Sequence, residues 1–188
     1  IAMAGYLALY HGAWCWFARK SLPLPLTELI NAPWSQRTLW ILTCSAAWVL
    51  AENIVGWFLT GMPWINLGVT QHRLLPLIQI TSLTGVPGLS FIIVWASVSL
   101  MFSLLALATA PRQRMLAWRE ICLPLLTVIV LFAWGSFRIG KIDRAIAADS
   151  RGVKIALVQP SFPQTLIWDQ GTGSNRFDTM IELSREAL

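Results

Sequence analysis

The chain has 188 residues, 56% of them hydrophobic and only 12% charged, with a mean hydropathy of +0.61. A soluble domain carries charges on about a quarter of its residues, so this composition excludes one and describes a chain that is mostly membrane. The net charge of +5 sits wholly on residues 1–138, with eight Lys/Arg against three Asp/Glu, while residues 139–188 hold six of each sign. Because the basic residues of the apolar part are scattered and form no stripe, nucleic acid is not an expected partner.

Crossing a bilayer takes about 20 apolar residues, and four stretches approach that length. The first covers about 1–18, contains His11 and is closed by Arg19-Lys20. Opening at Ile1 inside an apolar run, the chain shows no basic leader, and its start reads as cut. The second stretch, 39–59, carries Glu52 beside Asn53; the third, 86–110, has no charge; the fourth, 121–137, is bounded by Glu120 and Arg138. Residues 60–85, rich in Gly, Pro and polar amides, are too broken for a simple span and too apolar for a free loop. They are expected to lie at the interface or to re-enter the bilayer against the protein.

Cytoplasmic connections retain Lys and Arg. Arg19, Lys20 and Arg37 follow the first stretch, Arg73 alone follows the second, and Arg112, Arg114 and Arg119 follow the third. That distribution places 60–85, and everything after the fourth stretch, on the outer face. Arg138, Lys141 and Arg144 run against it, although long translocated domains obey the rule less strictly.

Single side chains within the spans bear on function. Glu52 is costly in an apolar span unless paired or facing a polar cavity, so it is either a substrate-binding group or a protonated or hydrogen-bonded carboxyl joining helices. Trp34, Trp40, Trp57, Trp64, Trp118 and Trp134 fall near span ends, where an amphipathic ring anchors at the interface. Cys15, Cys44 and Cys122 lie in apolar runs without metal-ligand spacing and read as buried, inert thiols. His11 reads as a packed interhelical residue, whereas His72 beside Arg73 is a weak candidate for a lipid phosphate contact.

After Arg138 the texture becomes that of a soluble domain. Residues 139–152 form a charged connector, helical in its first half, and 153–159 is a short apolar run suited to a buried strand. Pro160 and Pro163 forbid its continuation. A Gly-rich loop, 169–175, leads into a helix over 176–188 with Phe177, Ile181, Ser184 and Leu188 on one stripe. Strand, loop and amphipathic helix make the opening unit of an α/β layer. Ending at Leu188 within a helical pattern, the chain reads as cut here too.

Two motifs carry a family resemblance. Leu59-Thr60-Gly61-Met62-Pro63-Trp64 with Leu67-Gly68-Val69-Thr70-Gln71 resembles the outer-face motif of apolipoprotein N-acyltransferases, T-G-F-P-W-x-x-x-G-Y-x-Q. Residues 156–169, ALVQPSFPQTLIWD, resemble that family's entry into its nitrilase-like domain, A-L-V-Q-G-N-I-P-Q-x-x-K-W. Departures are Met62 for Phe, Val69 for Tyr, Pro160-Ser161 for Gly-Asn and Ile167 for Lys. The implied fold is an α-helical transmembrane bundle over 1–138 followed, from 153, by the start of an α/β nitrilase-like (αββα sandwich) domain.

The resemblance also implies an activity: transfer of an acyl chain from a phospholipid to the N-terminal diacylglyceryl-cysteine of a lipoprotein, through a thioester acyl-enzyme on a Glu, Lys and Cys set. No segment before Leu188 matches those three, so they are expected beyond it and the 188 residues alone are expected to be inactive. Substrate-binding candidates are Trp168, Trp64, Pro63 and Glu52. Trp168 either packs an acyl chain or closes the strand-to-helix connection; for Trp64, interfacial anchoring is the alternative. Gly61 and Gly68 are expected to permit tight turns around Pro63 and Trp64. The implied setting is the bacterial inner membrane, multi-pass, with the nitrilase-like part periplasmic. A phospholipid donor, a lipoprotein acceptor, a monomer, and no metal or cofactor are implied with it. Two readings compete, a non-catalytic scaffold with a degenerate nitrilase-like domain and part of a permease.

Overall fold

The computed structural model describes residues 2–23, 25–29, 31–58, 61, 66–109, 114–148, 155–159, 161–162 and 173–187. Its helices are α1 (Ala2–Lys20), α2 (Leu26–Leu29), α3 (Trp34–Trp57), α4 (Leu75–Ile78), α5 (Thr81–Thr109), α6 (Arg114–Ala148) and α7 (Gly173–Glu186), with a 3-10 turn at Leu67–Gln71 before α4. Trp34–Trp57, Thr81–Ala108 and Trp118–Ala148 are long and apolar enough to cross a membrane. The stretch over 1–18 is helical as α1, but its tyrosines, His11 and terminal Arg19-Lys20 leave it outside that set. Helix α3 begins before the apolar stretch predicted for it, and α6 extends beyond its stretch at both ends. Hydropathy marks only the part that suits hydrocarbon, whereas backbone hydrogen bonding carries a helix on through Ser35, Gln36 and Arg37, or through Lys141 and Arg144.

The chain divides into two compact units, 1–145 and 146–188. In the first, the core lies between α3 and α5. Trp40, Ile41 and Cys44 of α3, with Leu29 and Ala32 before it, meet Val94, Val98, Phe102 and Ala106 of α5. The four α5 residues recur every fourth position and so form one ridge along the helix. Ser45, Ser90, Ser99 and Ser103 are buried in the same unit, and small side chains let helix backbones approach where lipid supplies no hydrophobic drive. Two reciprocal tryptophan bonds tie α1 to α3: Trp14 Nε1 donates to the Cys44 carbonyl at 2.8 Å, and Trp40 Nε1 to the Ala18 carbonyl at 3.2 Å. Trp40 is therefore a buried helix-joining residue instead of the interfacial anchor its position predicted, while Trp34, Trp57 and Trp118 do face outward. Among the cysteines only Cys44 is buried; Cys15 and Cys122 lie on outward faces, and all three are free thiols.

The broken stretch 60–85 becomes a chain of short elements. After the 3-10 turn and α4, the helix of α5 is interrupted at Gly85, whose φ of 69° and ψ of 179° suit glycine alone, and Pro87 has no N–H to bond backward. The long run of α5 thus starts at Val86, where the third span was predicted. Helix α6 exposes much of its apolar surface, including Leu126, Ile129, Val130 and Phe137, and joins the other helices at localized points. Arg37 Nε meets Glu120 Oε1 at 2.8 Å. Gly135 lies against Pro76 so closely that a Cβ there would stand 1.8 Å from the Pro76 oxygen. One turn on, Arg138 donates to the Ser82 hydroxyl and to the Gln79 carbonyl, with its guanidinium 5.4 Å from the Trp134 ring centroid.

The second unit differs from expectation in one respect. Residues 155–159 form no strand, and among the described residues there is no β ladder. Ile155 and Leu157 are 77% and 92% exposed. A strand is defined by hydrogen bonds to a neighbour, and a single apolar run has none to offer itself. The amphipathic helix is present as α7, three residues longer at its start than predicted, with Ile181 half-buried and Phe177 exposed.

Candidate functional site

Of the four predicted binding residues, Glu52 lies within the described structure, and Pro63, Trp64 and Trp168 lie outside the described residues. Glu52 sits one and a half turns before the end of α3 and organises what surrounds it. Its Oε1 accepts two hydrogen bonds, from Trp48 Nε1 at 2.8 Å and from the Leu67 backbone N–H at 2.7 Å. Trp48 is reached because residues four apart share a helix face. The Leu67 N–H belongs to the first residue of the 3-10 turn, where backbone donors have no partner inside the turn. A carboxylate from another element therefore caps it.

The next donor of the turn is held from the opposite side. Gly68 N–H donates to Ser90 Oγ of α5 at 2.8 Å, so the turn is fixed between α3 and α5 by one side chain from each. A Cβ on Gly68 would meet the Val86 carbonyl oxygen at 2.7 Å. Gly68 lies in a tight turn as expected, and glycine is required there for space, its φ not being positive. At Gly61 the predicted reason holds: φ is 73°, and a Cβ would stand 2.3 Å from the Gly56 oxygen. Gly68→Ala is expected to lower stability by about 2 kcal/mol, the usual range for an added methyl in a filled site. Thermal unfolding in detergent measures it, and an unchanged midpoint would mean that Val86 yields freely.

Glu52 also lines a narrow cleft between α1, α3 and Asn66, with a cavity volume of about 40 Å³. Its walls are Tyr10, His11 and Trp14 of α1 and Trp48 of α3. Trp48 stands edge-to-face with both His11 and Trp14, at centroid distances of 5.3 and 5.2 Å. Tyr10 shares a 2.7 Å hydrogen bond with Tyr6, and His11 Nδ1 donates to the Leu7 carbonyl at 2.9 Å. The second carboxyl oxygen, Glu52 Oε2, is buried and has no hydrogen-bond partner among the described residues. His11 was read as a packed interhelical residue, and its contact with Trp48 agrees. His72 and Arg73 are both exposed beyond the 3-10 turn.

Sequence reasoning singled out Glu52 but not its partners. Trp48 was legible from the four-residue spacing; Ser90 and the Leu67 N–H were not, since nothing in a sequence says which backbone donor a distant carboxyl will cap. The Arg37–Glu120 pair was missed as well, because Arg37 was read as a topology-setting charge of a connection and Glu120 as the boundary of the fourth stretch.

Residues 1–99, which include this cleft, match the family model described as the apolipoprotein N-acyltransferase N-terminal domain. Over 185 residues the chain is 30% identical to the apolipoprotein N-acyltransferase of Geobacter metallireducens, covering 98% of this chain and 32% of that one. It is 32% identical over 190 residues to that of Shewanella oneidensis, covering 98% and 31%. With that of Rickettsia prowazekii the identity is 37% over 123 residues, covering 65% and 23%. The chain spans about a third of the length of the first two relatives. No solved structure matches it.

Proposed function

Since the chain belongs to the apolipoprotein N-acyltransferase family, we propose that it forms the membrane part, and the entry to the catalytic part, of an enzyme that moves an acyl chain from a phospholipid to the N-terminal diacylglyceryl-cysteine of lipoproteins. The observation that carries this reading is similarity along 98% of the chain to relatives bearing that name, with the outer-face motif and the ALVQ segment in the family's order. In this reading the membrane is the bacterial inner membrane, residues 60–85 face the periplasm, and 153–188 open a nitrilase-like domain whose first strand finds its neighbours in further sequence. A Glu, a Lys and a Cys outside these 188 residues then carry the chemistry, the Cys taking the acyl chain as a thioester before the amine receives it. Monomeric action and the absence of a metal or cofactor belong to the same proposal.

What this chain supplies is positioning. Glu52 and Ser90 hold the 3-10 turn that follows the Pro63-Trp64 motif, and that motif supports the outer-face segment beneath the catalytic domain. Trp168 packs against the acyl chain at the domain's mouth. The full-length protein given phospholipid is expected to form a hydroxylamine-sensitive acyl-enzyme, and residues 1–188 alone are expected to form none. Acylation of Cys15, Cys44 or Cys122 in the short chain would overturn the assignment of the nucleophile. In the full-length protein Trp168→Ala is expected to slow acyl transfer about tenfold, equivalent to about 1.4 kcal/mol at the transition state, with the fold intact; unchanged turnover would return Trp168 to a packing role.

A further inference from the structure

At the end of the bundle away from Glu52, a groove of about 580 Å³ opens between the start of α3 and the start of α6. Trp34, Trp118, Arg119, Cys122, Leu123 and Leu126 line it. The five α6 residues share one face, since Trp118, Cys122 and Leu126 stand four apart and so do Arg119 and Leu123. From Trp118 to Leu126 this wall runs about 12 Å along the helix, and its chemistry changes on the way. Arg119 and the two indoles sit just before the apolar run of 121–137; Cys122, Leu123 and Leu126 lie inside it.

The mouth of the groove is open and carries unbalanced positive charge. Trp34, Trp118 and Arg119 are exposed, and none of their side chains has a hydrogen-bond or ion-pair partner among the described residues. Residues 110–119 contain Arg112, Arg114 and Arg119 and no acidic residue. Glu120, next in sequence, is buried and already neutralised by Arg37. A free inorganic anion would meet Arg119 and leave the leucines bare, whereas a neutral lipid would cover the leucines and gain nothing from the guanidinium. The complementary occupant is an amphiphile with an anionic head. A phosphodiester takes a guanidinium in a fork of two charge-assisted bonds, indole N–H groups donate at the depth where such rings settle, and a chain follows the leucines inward.

We propose that this groove binds an anionic glycerophospholipid, its phosphodiester on Arg119 between Trp34 and Trp118 and one acyl chain along Cys122, Leu123 and Leu126. The lipid bridges α3 and α6 beside the Arg37–Glu120 pair and is a structural ligand. It is distinct from the phospholipid that the acyl-transfer reading consumes at the outer face. Trp34 and Glu52 lie on α3 at separations of about 27 Å along the helix, close to the thickness of a bilayer's hydrocarbon core. The groove therefore belongs to the leaflet opposite the 60–85 segment.

The test uses the full-length protein, purified in detergent and stripped of bound lipid. Native mass spectrometry compares phosphatidylglycerol with phosphatidylcholine of the same chains. Cys122 reports from inside the groove through its rate of alkylation by N-ethylmaleimide, read on its own peptide, with the exposed Cys15 of α1 as the control. The expected result is a preference for phosphatidylglycerol that falls about tenfold in Arg119→Gln, the size of one charge-assisted contact. Phosphatidylglycerol is also expected to slow alkylation of Cys122 several-fold and to leave that of Cys15 unchanged. No preference, a preference that Arg119→Gln leaves intact, or alkylation of Cys122 indifferent to the lipid overturns the proposal. Protection of Cys122 that grows with protein concentration in the absence of lipid overturns it in favour of a second copy of the chain. The alkylation readout needs only the wild-type protein, so it decides even if Arg119→Gln fails to fold. Both readouts concern binding at the end of the bundle away from the outer-face motif, and failure of the acyl-transfer reading leaves them standing.

Discussion

Glu120→Ala is expected to destabilise the helical bundle by about 3–5 kcal/mol, the range for removing one partner of a buried ion pair. Arg37 and Glu120 each expose only 2% of their side chains, and Arg37 Nε donates to Glu120 Oε1 at 2.8 Å. The pair is satisfied around its edges: Arg37 Nη1 donates to the Ala32 carbonyl at 2.9 Å, Thr38 Oγ1 donates to Glu120 Oε2 at 3.3 Å, and the guanidinium lies 5.8 Å from the Phe102 ring centroid. One cluster thereby joins α3, α5 and α6. Removing Glu120 takes the carboxylate counter-charge from a buried guanidinium, which cannot shed its proton to escape. Replacing both charges, as Arg37→Met with Glu120→Leu, is expected to restore stability to wild type or to exceed it by about 1–4 kcal/mol, because neither partner then pays for desolvation. Denaturant unfolding in micelles measures both. A Glu120→Ala midpoint within about 1 kcal/mol of wild type would show that Arg37 reaches solvent, since exposed pairs are worth that little.

The second large effect concerns Gly135, where two contributions of opposite sign can be compared. Alanine in place of glycine inside a helix favours the helix by about 1 kcal/mol. At Gly135, however, the added Cβ would stand 1.8 Å from the Pro76 oxygen and 2.6 Å from its carbonyl carbon. Both are backbone atoms, so α4 must shift, and overpacking of that kind costs about 3 kcal/mol. Packing outweighs propensity, and Gly135→Ala is expected to lose about 2 kcal/mol net. Gly140, in the same helix with nothing within 4 Å of its would-be Cβ, supplies the control: Gly140→Ala is expected to gain up to about 1 kcal/mol. Thermal unfolding of the two variants side by side separates the effects, and a stabilised Gly135→Ala would overturn the account of how α6 is attached.

The attachment matters beyond stability. Gly135 and Arg138 fall on one face of α6, and they hold α4 with its capping residue Gln79 and the first turn of α5, where Ser82 lies. Those elements immediately follow the 3-10 turn that Glu52 caps. The sequence reading took Arg138 as the end of a span and a topology signal. The structure adds that its guanidinium binds the backbone of the broken stretch, a role that no count of charges in loops reveals.

Much of the helical plan was legible because it depends on local properties. Apolar runs of sufficient length must hydrogen-bond within themselves in lipid, which leaves a helix as the open choice for a single segment. Gly85 and Pro87 could be recognised as an interruption, since one favours positive φ and the other lacks a donor. Glu52 could be recognised as exceptional, because a carboxyl in an apolar run needs a reason. Of the strand expected over 153–159, the described part, 155–159, is not a strand, and the cause is the same physics seen from the other side. A helix satisfies its own backbone, whereas a strand depends on another strand.

The sequence by itself determined that the chain is built from membrane-length helices, where they break, and that one carboxyl within them and two glycines of the broken stretch carry special duties. Tertiary structure alone decided what those duties are. It brought Leu67 N–H to Glu52 across fifteen residues and Ser90 to Gly68 across twenty-two. It closed Arg37 on Glu120 across eighty-three, and it pressed Gly135 against Pro76. Helix formation is a contract between residues four apart, so pattern and composition reveal it. Hydrogen bonds and close contacts between helices depend on how the rods are laid side by side, and that arrangement is fixed only when all the side chains at their interfaces are packed together.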